Sequence, residues 1–165
     1  MNTGQMLLSI GALLLLSLTV LRVNNTILQT DSVMMDSKFG ILATSIATSL
    51  IEKASKKAFD ANTFEDAVSN LSELTAANGL GPGVGETTPE NFNDFDDFNG
   101  YTEQITNLPS AVFNVSCQVC YVDPTVPDGK LSTQSWHKKM MVKVSSPSSQ
   151  DTIKLSTIYS YWHFR

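Results

Sequence analysis

Apolar and polar positions divide the chain into three regimes. From Met6 to Leu21 the run MLLSIGALLLLSLTVL carries no charged residue, none precedes it, and Arg22 is the first charge. A helix from Met1 to Leu21 would be roughly 30 Å long, the thickness of the hydrocarbon layer of a bilayer. Ser9, Ser17 and Thr19 interrupt the run, but in a helix their hydroxyls can bond back to the preceding turn. A helix that is apolar on every side needs lipid or copies of itself around it. The second regime continues without proline to about Ala58 with helical spacing. Leu28, Met35, Phe39, Leu42, Ile46 and Leu50 fall three, four or seven apart, and Ile27, Met34 and Ile41 widen the stripe. Lys53, Lys56 and Lys57 suit the negative end of the helix dipole. The pattern predicts one helix over residues 5–58, roughly 80 Å long, apolar all round in its first half and amphipathic in its second.

The third regime opens at Asp60-Ala61-Asn62-Thr63, where a second helix is expected. Asn62 with Glu65, or Thr63 with Asp66, would cap it, and Phe64, Ala67, Val68, Leu71 and Leu74 would form its apolar face. Asn78-Gly79 is its expected stop. Beyond it, alternation takes over. Phe113, Val115, Cys117, Val119 and Tyr121 alternate with polar positions; so do Met140, Val142 and Val144, and then Ile153, Leu155, Thr157, Tyr159 and Tyr161. Turns are expected after Asp123-Pro124, at Pro127-Asp128-Gly129 and over residues 145–149. Three antiparallel strands with one apolar face need a cover, which the amphipathic half-helix supplies. The fold expected is therefore α+β: a long N-terminal helix with a protruding apolar half, packed by its second half on a small antiparallel sheet. The expected divisions are 1–24 (membrane anchor or filament core), 25–59 (the amphipathic half) and 60–165 (a head with a short helix, an acidic loop and the sheet).

Composition narrows the function classes. The chain has 165 residues and a formal net charge of −5, which argues against nucleic acid as a partner because no basic patch faces phosphates. Glu86, Glu90, Asp94, Asp96 and Asp97 crowd one segment, and Lys138, Lys139 and Lys143 a later one. Two cysteines exclude a disulfide-stapled mini-protein. An unmistakable secretory signal would carry a basic start and a small-residue cleavage site, and neither is present.

Four candidate chemistries follow. The glycines of residues 79–85 lack the Lys-Ser or Lys-Thr that a nucleotide loop requires, so a surface connection is expected. In FNDFDDFNGY, residues 92–101, carboxylates alternate with Phe92, Phe95 and Phe98, which could face inward together. Asp94, Asp96 and Asp97 are the candidate ligands for calcium. The EF-hand spacing fails because Phe98 takes the place of an oxygen ligand, and the default is a solvated acidic loop anchored by its phenylalanines. Cys117 and Cys120 have redox-pair spacing, but in an unbroken strand they lie about 10 Å apart on opposite faces, so a Cys117–Cys120 disulfide is not expected without a bulge. Zinc through Cys117, Cys120, His137 and His163 has the wrong second spacing. No catalytic frame surrounds either histidine, and an enzyme is not expected. Tyr159, Tyr161, Trp162 and Phe164 are expected to finish a strand against the core.

An uncharged half-helix continuing into an amphipathic half, a variable loop and then a small antiparallel sheet resembles the type IV pilin and pseudopilin superfamily. The segment Asp94-Phe95-Asp96-Asp97-Phe98-Asn99-Gly100-Tyr101 is similar to the Asp-Asp-aromatic-x-Gly stretch of some minor pilins. The strand and turn of residues 119–124 are similar as well. The resemblance implies a structural subunit of an extracellular type IV pilus-like filament, a homopolymer assembled through Met1, Gln5, Leu14, Leu15, Leu18 and Leu21. It implies residence in the inner membrane before assembly, an assembly machinery as partner, and N-terminal methylation, at Met1 if the numbering begins at the mature N-terminus; cleavage after Gly4 would instead put Ser9 at the fifth place. The alternative it implies is a membrane-anchored pseudopilin or minor pilin of a secretion system that binds calcium. Mature pilins usually carry Glu at the fifth position; Gln5 stands there instead, so its bond to a neighbour's N-terminal amine would lack full charge assistance.

Overall fold

A computed structural model describes residues 2–109, 111–149 and 151–161. Its long helix, α1, spans Thr3–Ser55. The chain divides into two compact units, Met1–Lys38 and Phe39–Arg165.

The first unit is helical from Thr3 onward, and its described side chains are exposed, with only Gly11 partly covered. The hydroxyls of Ser9, Thr19, Thr26, Thr30 and Ser37 donate to carbonyls one turn back at 2.7–2.9 Å. That satisfies them without water, as a lipid-facing helix requires. The expected stripe residues Ile27, Leu28, Met34 and Met35 are exposed here.

In the second unit, the Phe39–Ser55 stretch of α1 buries Phe39, Ala43, Ala47 and Ala54, with Leu42, Ile46, Leu50 and Ile51 packed beside them. Alanine at these positions lets the helix backbone approach the sheet closely. The described sheet has five strands: β1 (Thr102–Ile105), β2 (Phe113–Asp123), β3 (Val126–Lys130), β4 (His137–Ser145) and β5 (Thr152–Ser160). The order is β1-β2-β4-β5, every pairing is antiparallel, and β3 pairs with the far end of β2. The register puts Cys117 opposite Val142 and Val142 opposite Leu155. The helix-facing side of the sheet carries Phe113, Val115, Cys117, Val119, Met140, Val142 and Val144, all buried. Phe39 meets Phe113 edge to face at 6.4 Å. The α+β architecture of helix on antiparallel sheet is as expected.

Three local expectations are corrected. No second α-helix forms over residues 62–78; two 3₁₀ turns, Ala61–Thr63 and Leu71–Glu73, stand there instead. Polar side chains bond the local backbone and compete with the helix. Asp60 and Thr63 cap each other, and Asn70 pairs with Glu73. The expected caps at Asn62 and Thr63 are displaced to these pairs. Phe64 is 65% exposed, while Val68 and Leu74 are buried. Second, α1 ends at Ser55 rather than Ala58, because the backbone of Ala58 is taken by Asn93 and Phe95. Third, Pro127-Asp128-Gly129 lies within β3. The chain reverses at Pro124-Thr125, where the Asp123 carboxylate accepts from the Thr125 amide and hydroxyl at 2.8 and 2.7 Å. Strand β1 was not foreseen.

Candidate functional site

The apolar run is the first candidate. Leu14, Leu15, Leu18 and Leu21 are 58–68% exposed, and no residue in the most apolar eighteen-residue window of α1 is buried. By length and composition this helix is able to span a membrane. Gln5 sits in its first turn, its amide donating to the Asn2 carbonyl at 2.9 Å and its carbonyl accepting from Ser9. Met1, the remaining residue expected in assembly, lies outside the described residues, as do Trp162, His163 and Phe164.

The second candidate is a buried polar cluster in the head. Phe92, Phe95 and Phe98 all point inward, as their three-residue spacing predicts, and Phe92 meets Phe98 edge to face at 4.9 Å. Burying three rings from one short segment carries its aspartates inside too. Asp94, Asp96 and Asp97 are each only 2% exposed, so the expected solvated acidic loop is corrected to a buried one. A 3₁₀ turn, Asp96–Phe98, shapes it. The Asp94 carboxylate accepts from the amides of Asp96 and Asp97 at 2.8 and 3.2 Å. Asp97 in turn accepts from the amides of Asn93 and Asp94 at 2.8 and 3.1 Å. The Glu86 carboxylate accepts from the Asn93 side chain.

What makes this burial tolerable is Lys138. Its side chain is fully buried, in phase with Met140, Val142 and Val144 on β4. The ammonium donates to the Phe59 carbonyl at 2.7 Å, to Asp60 at 2.8 Å and to Asp96. It also lies 4.5 Å from the Phe59 ring centroid and 5.3 Å from that of Tyr121. Asp60, fully buried, additionally accepts from the Asn62 amide, the Thr75 amide and hydroxyl, and the Tyr121 hydroxyl.

The electrostatics separate these carboxyls. Burial pushes Asp60 up, but the Lys138 ammonium and the donors from Thr75 and Asn62 more than reverse this, leaving it below the ordinary aspartate value. Asp94 is pushed up to about 8 by burial and by the neighbouring Asp96 and Asp97, so at neutral pH it holds a proton. Asp97 is also raised, chiefly by burial.

Among the described residues, no three of His, Cys, Asp or Glu are grouped to hold a metal ion. Asp94 and Asp97 are turned onto backbone amides, and Asp96 faces an ammonium. Cys117 is buried and Cys120 half-buried on the opposite face; both are free thiols, and the β2–β4 register runs unbroken past them, with no bulge to bring them together. Burial pushes the Cys117 thiol up to about 12, the opposite of an activated thiolate. The His137 ring bonds the Ser160 hydroxyl at 2.7 Å. Tyr159 and Tyr161 pack on Phe59, and Trp136 stacks on Tyr161 at 5.4 Å.

Sequence reasoning missed Lys138, Asp60, Thr75 and Tyr121 as one cluster. The available signal was a lysine at an inward position of an alternating strand. No family model matches the chain, and neither the curated proteins nor the solved structures contain a significant match.

Proposed function

We propose that this protein is the structural subunit of an extracellular helical filament of the type IV pilus kind. Its apolar half-helix holds it in the inner membrane until an assembly machinery bundles copies into a fibre, with no enzymatic role. The observation that carries this reading is that no residue of the apolar run is buried. Fully burying a leucine side chain is worth about 1.5–3 kcal/mol, so Leu14, Leu15, Leu18 and Leu21 leave a large stabilisation unused in the isolated chain. Lipid supplies it before assembly, and neighbouring helices supply it afterwards. Hydroxyls already bonded to their own helix fit both environments. The acidic character of the chain leaves nucleic acid out of the reading.

Electron microscopy of the purified full chain and of native surface material is the test. Helical fibres are expected, and Leu14→Asp or Leu15→Asp should abolish them while circular dichroism still reports a folded head. A protein that stays monomeric in every detergent and salt condition would refute the filament. Such a protein would instead fit a membrane-anchored subunit that does not polymerise.

A further inference from the structure

The Lys138 cluster holds a nucleophile, an electrophile, a base and an acid in one closed space. We propose that Lys138 and Asp96 condense without a cofactor into an intramolecular isopeptide bond, Nζ to Cγ, with Asp60 moving the proton that the amine must lose. The two partners lie 42 residues apart in sequence, yet the β4 strand and the 3₁₀ turn hold amine and carboxyl in hydrogen-bond contact. Groups positioned in this way react as if at very high local concentration. Their side chains are 0% and 3% exposed, and the rings of Phe59 and Tyr121 wall the amine. Condensation replaces the buried Lys138–Asp96 charge pair with one neutral amide and expels a water, while Asp60 keeps its donors from Asn62, Thr75 and Tyr121.

The surroundings distinguish the roles. Asp60 collects donors from Asn62, Thr75, Tyr121 and Lys138, which fix it as a carboxylate and make it a poor electrophile. The Asp96 carboxylate accepts from the Lys138 ammonium. One proton passes from the Lys138 ammonium to the Asp96 carboxylate across their hydrogen bond, giving an amine and a carboxylic acid. The amine lone pair then forms the N–C bond at Asp96 Cγ. The surplus proton on nitrogen passes to the Asp60 carboxylate, which already accepts from it. Asp60 gives its proton to the departing hydroxyl, one C–O bond breaks, and water leaves. Asp60 ends as it began, and the net change is an ammonium and a carboxylate converted to an amide and water.

Mass spectrometry of a proteolytic digest of the purified, detergent-solubilised full chain tests this. The expected product is a branched peptide joining the segments that contain Asp96 and Lys138, lighter by one water than the two together. It should be absent from Lys138→Arg and Asp96→Ala. Asp60→Asn should slow its appearance after refolding even in protein whose circular dichroism spectrum is native, an effect that a merely structural role would not give. Unlinked peptides from wild-type protein with a native circular dichroism spectrum would overturn the proposal, whatever the variants do. So would a water lost only at Asp128-Gly129, where succinimide formation gives the same mass change without a branch.

Discussion

Asp94→Asn isolates the most perturbed carboxyl in the head. Asp94 is buried, its ordinary value is 3.8, and its folded value is about 8. Burial is the first cause, and the charges of Asp96 and Asp97 add to it against the opposing Lys138. Between these two values the folded chain holds a proton that the unfolded chain has released. Stability is therefore highest at low pH and declines as pH rises toward the folded value, with a limiting slope of about 1.4 kcal/mol per pH unit. From about pH 5 to pH 7 the wild type should lose about 1–3 kcal/mol, which at a typical urea slope lowers the unfolding midpoint by about 1 M. Asp97 shifts in the same direction. Asp60, whose value is lowered, acts in the opposite direction, but only below the ordinary aspartate range. Asparagine keeps a carbonyl to accept from the amides of Asp96 and Asp97. It cannot ionise, so the variant's profile should flatten, matching wild type near pH 5 and exceeding it near pH 7. The assay is urea unfolding of the full chain in mild detergent at several pH values, followed by circular dichroism. Parallel profiles for the two proteins, or a wild type that gains stability across this range, would refute the reasoning. The direction holds with or without the Lys138–Asp96 amide, because burial is its principal cause.

Two further outcomes follow from the packing. Phe98 is fully buried between Phe92 and Tyr101, so Phe98→Ala should cost about 3–5 kcal/mol in the same unfolding assay; a loss below about 1 kcal/mol would mean that this ring does not anchor the acidic segment. A thiol reagent at mildly alkaline pH should leave Cys117 unmodified in the native chain and label both Cys117 and Cys120 after denaturation, as mass spectrometry of the labelled protein reads directly.

The parts of the fold governed by a simple period were legible. Alternation located β2, β4 and β5, and strand geometry alone placed Cys117 inside and Cys120 on the other face. The uncharged run announced a helix that buries nothing of itself, and the spacing of Phe92, Phe95 and Phe98 announced an inward cluster. What failed was the segment after α1, where a good apolar helical pattern gave only two 3₁₀ turns. Its conformation is dictated by Asp60, which bonds Asn62 two residues away, Thr75 fifteen away and Lys138 seventy-eight away. No local window contains that information. Strand β3 was hidden because Pro, Asp and Gly read as a turn, whereas Asp123 had already fixed the reversal one step earlier.

The acidic segment shows why its charge count misled. Four ionised aspartates cannot share one buried ammonium, because unpaired buried carboxylates are far too costly. The head resolves this with three different devices. Before any condensation, the Lys138 ammonium serves Asp60 and Asp96 together. Asp94 keeps its proton, and Asp97 turns its carboxylate onto two backbone amides. Each device depends on the phenylalanines that pull the segment inward, and the phenylalanines can stay inward only because the devices are present. A valine or methionine would suit the strand phase at position 138 better than lysine. It would also leave Asp60 and Asp96 facing each other without a counter-charge. The lysine that breaks the alternation of β4 is thus the residue that lets an acidic loop become core.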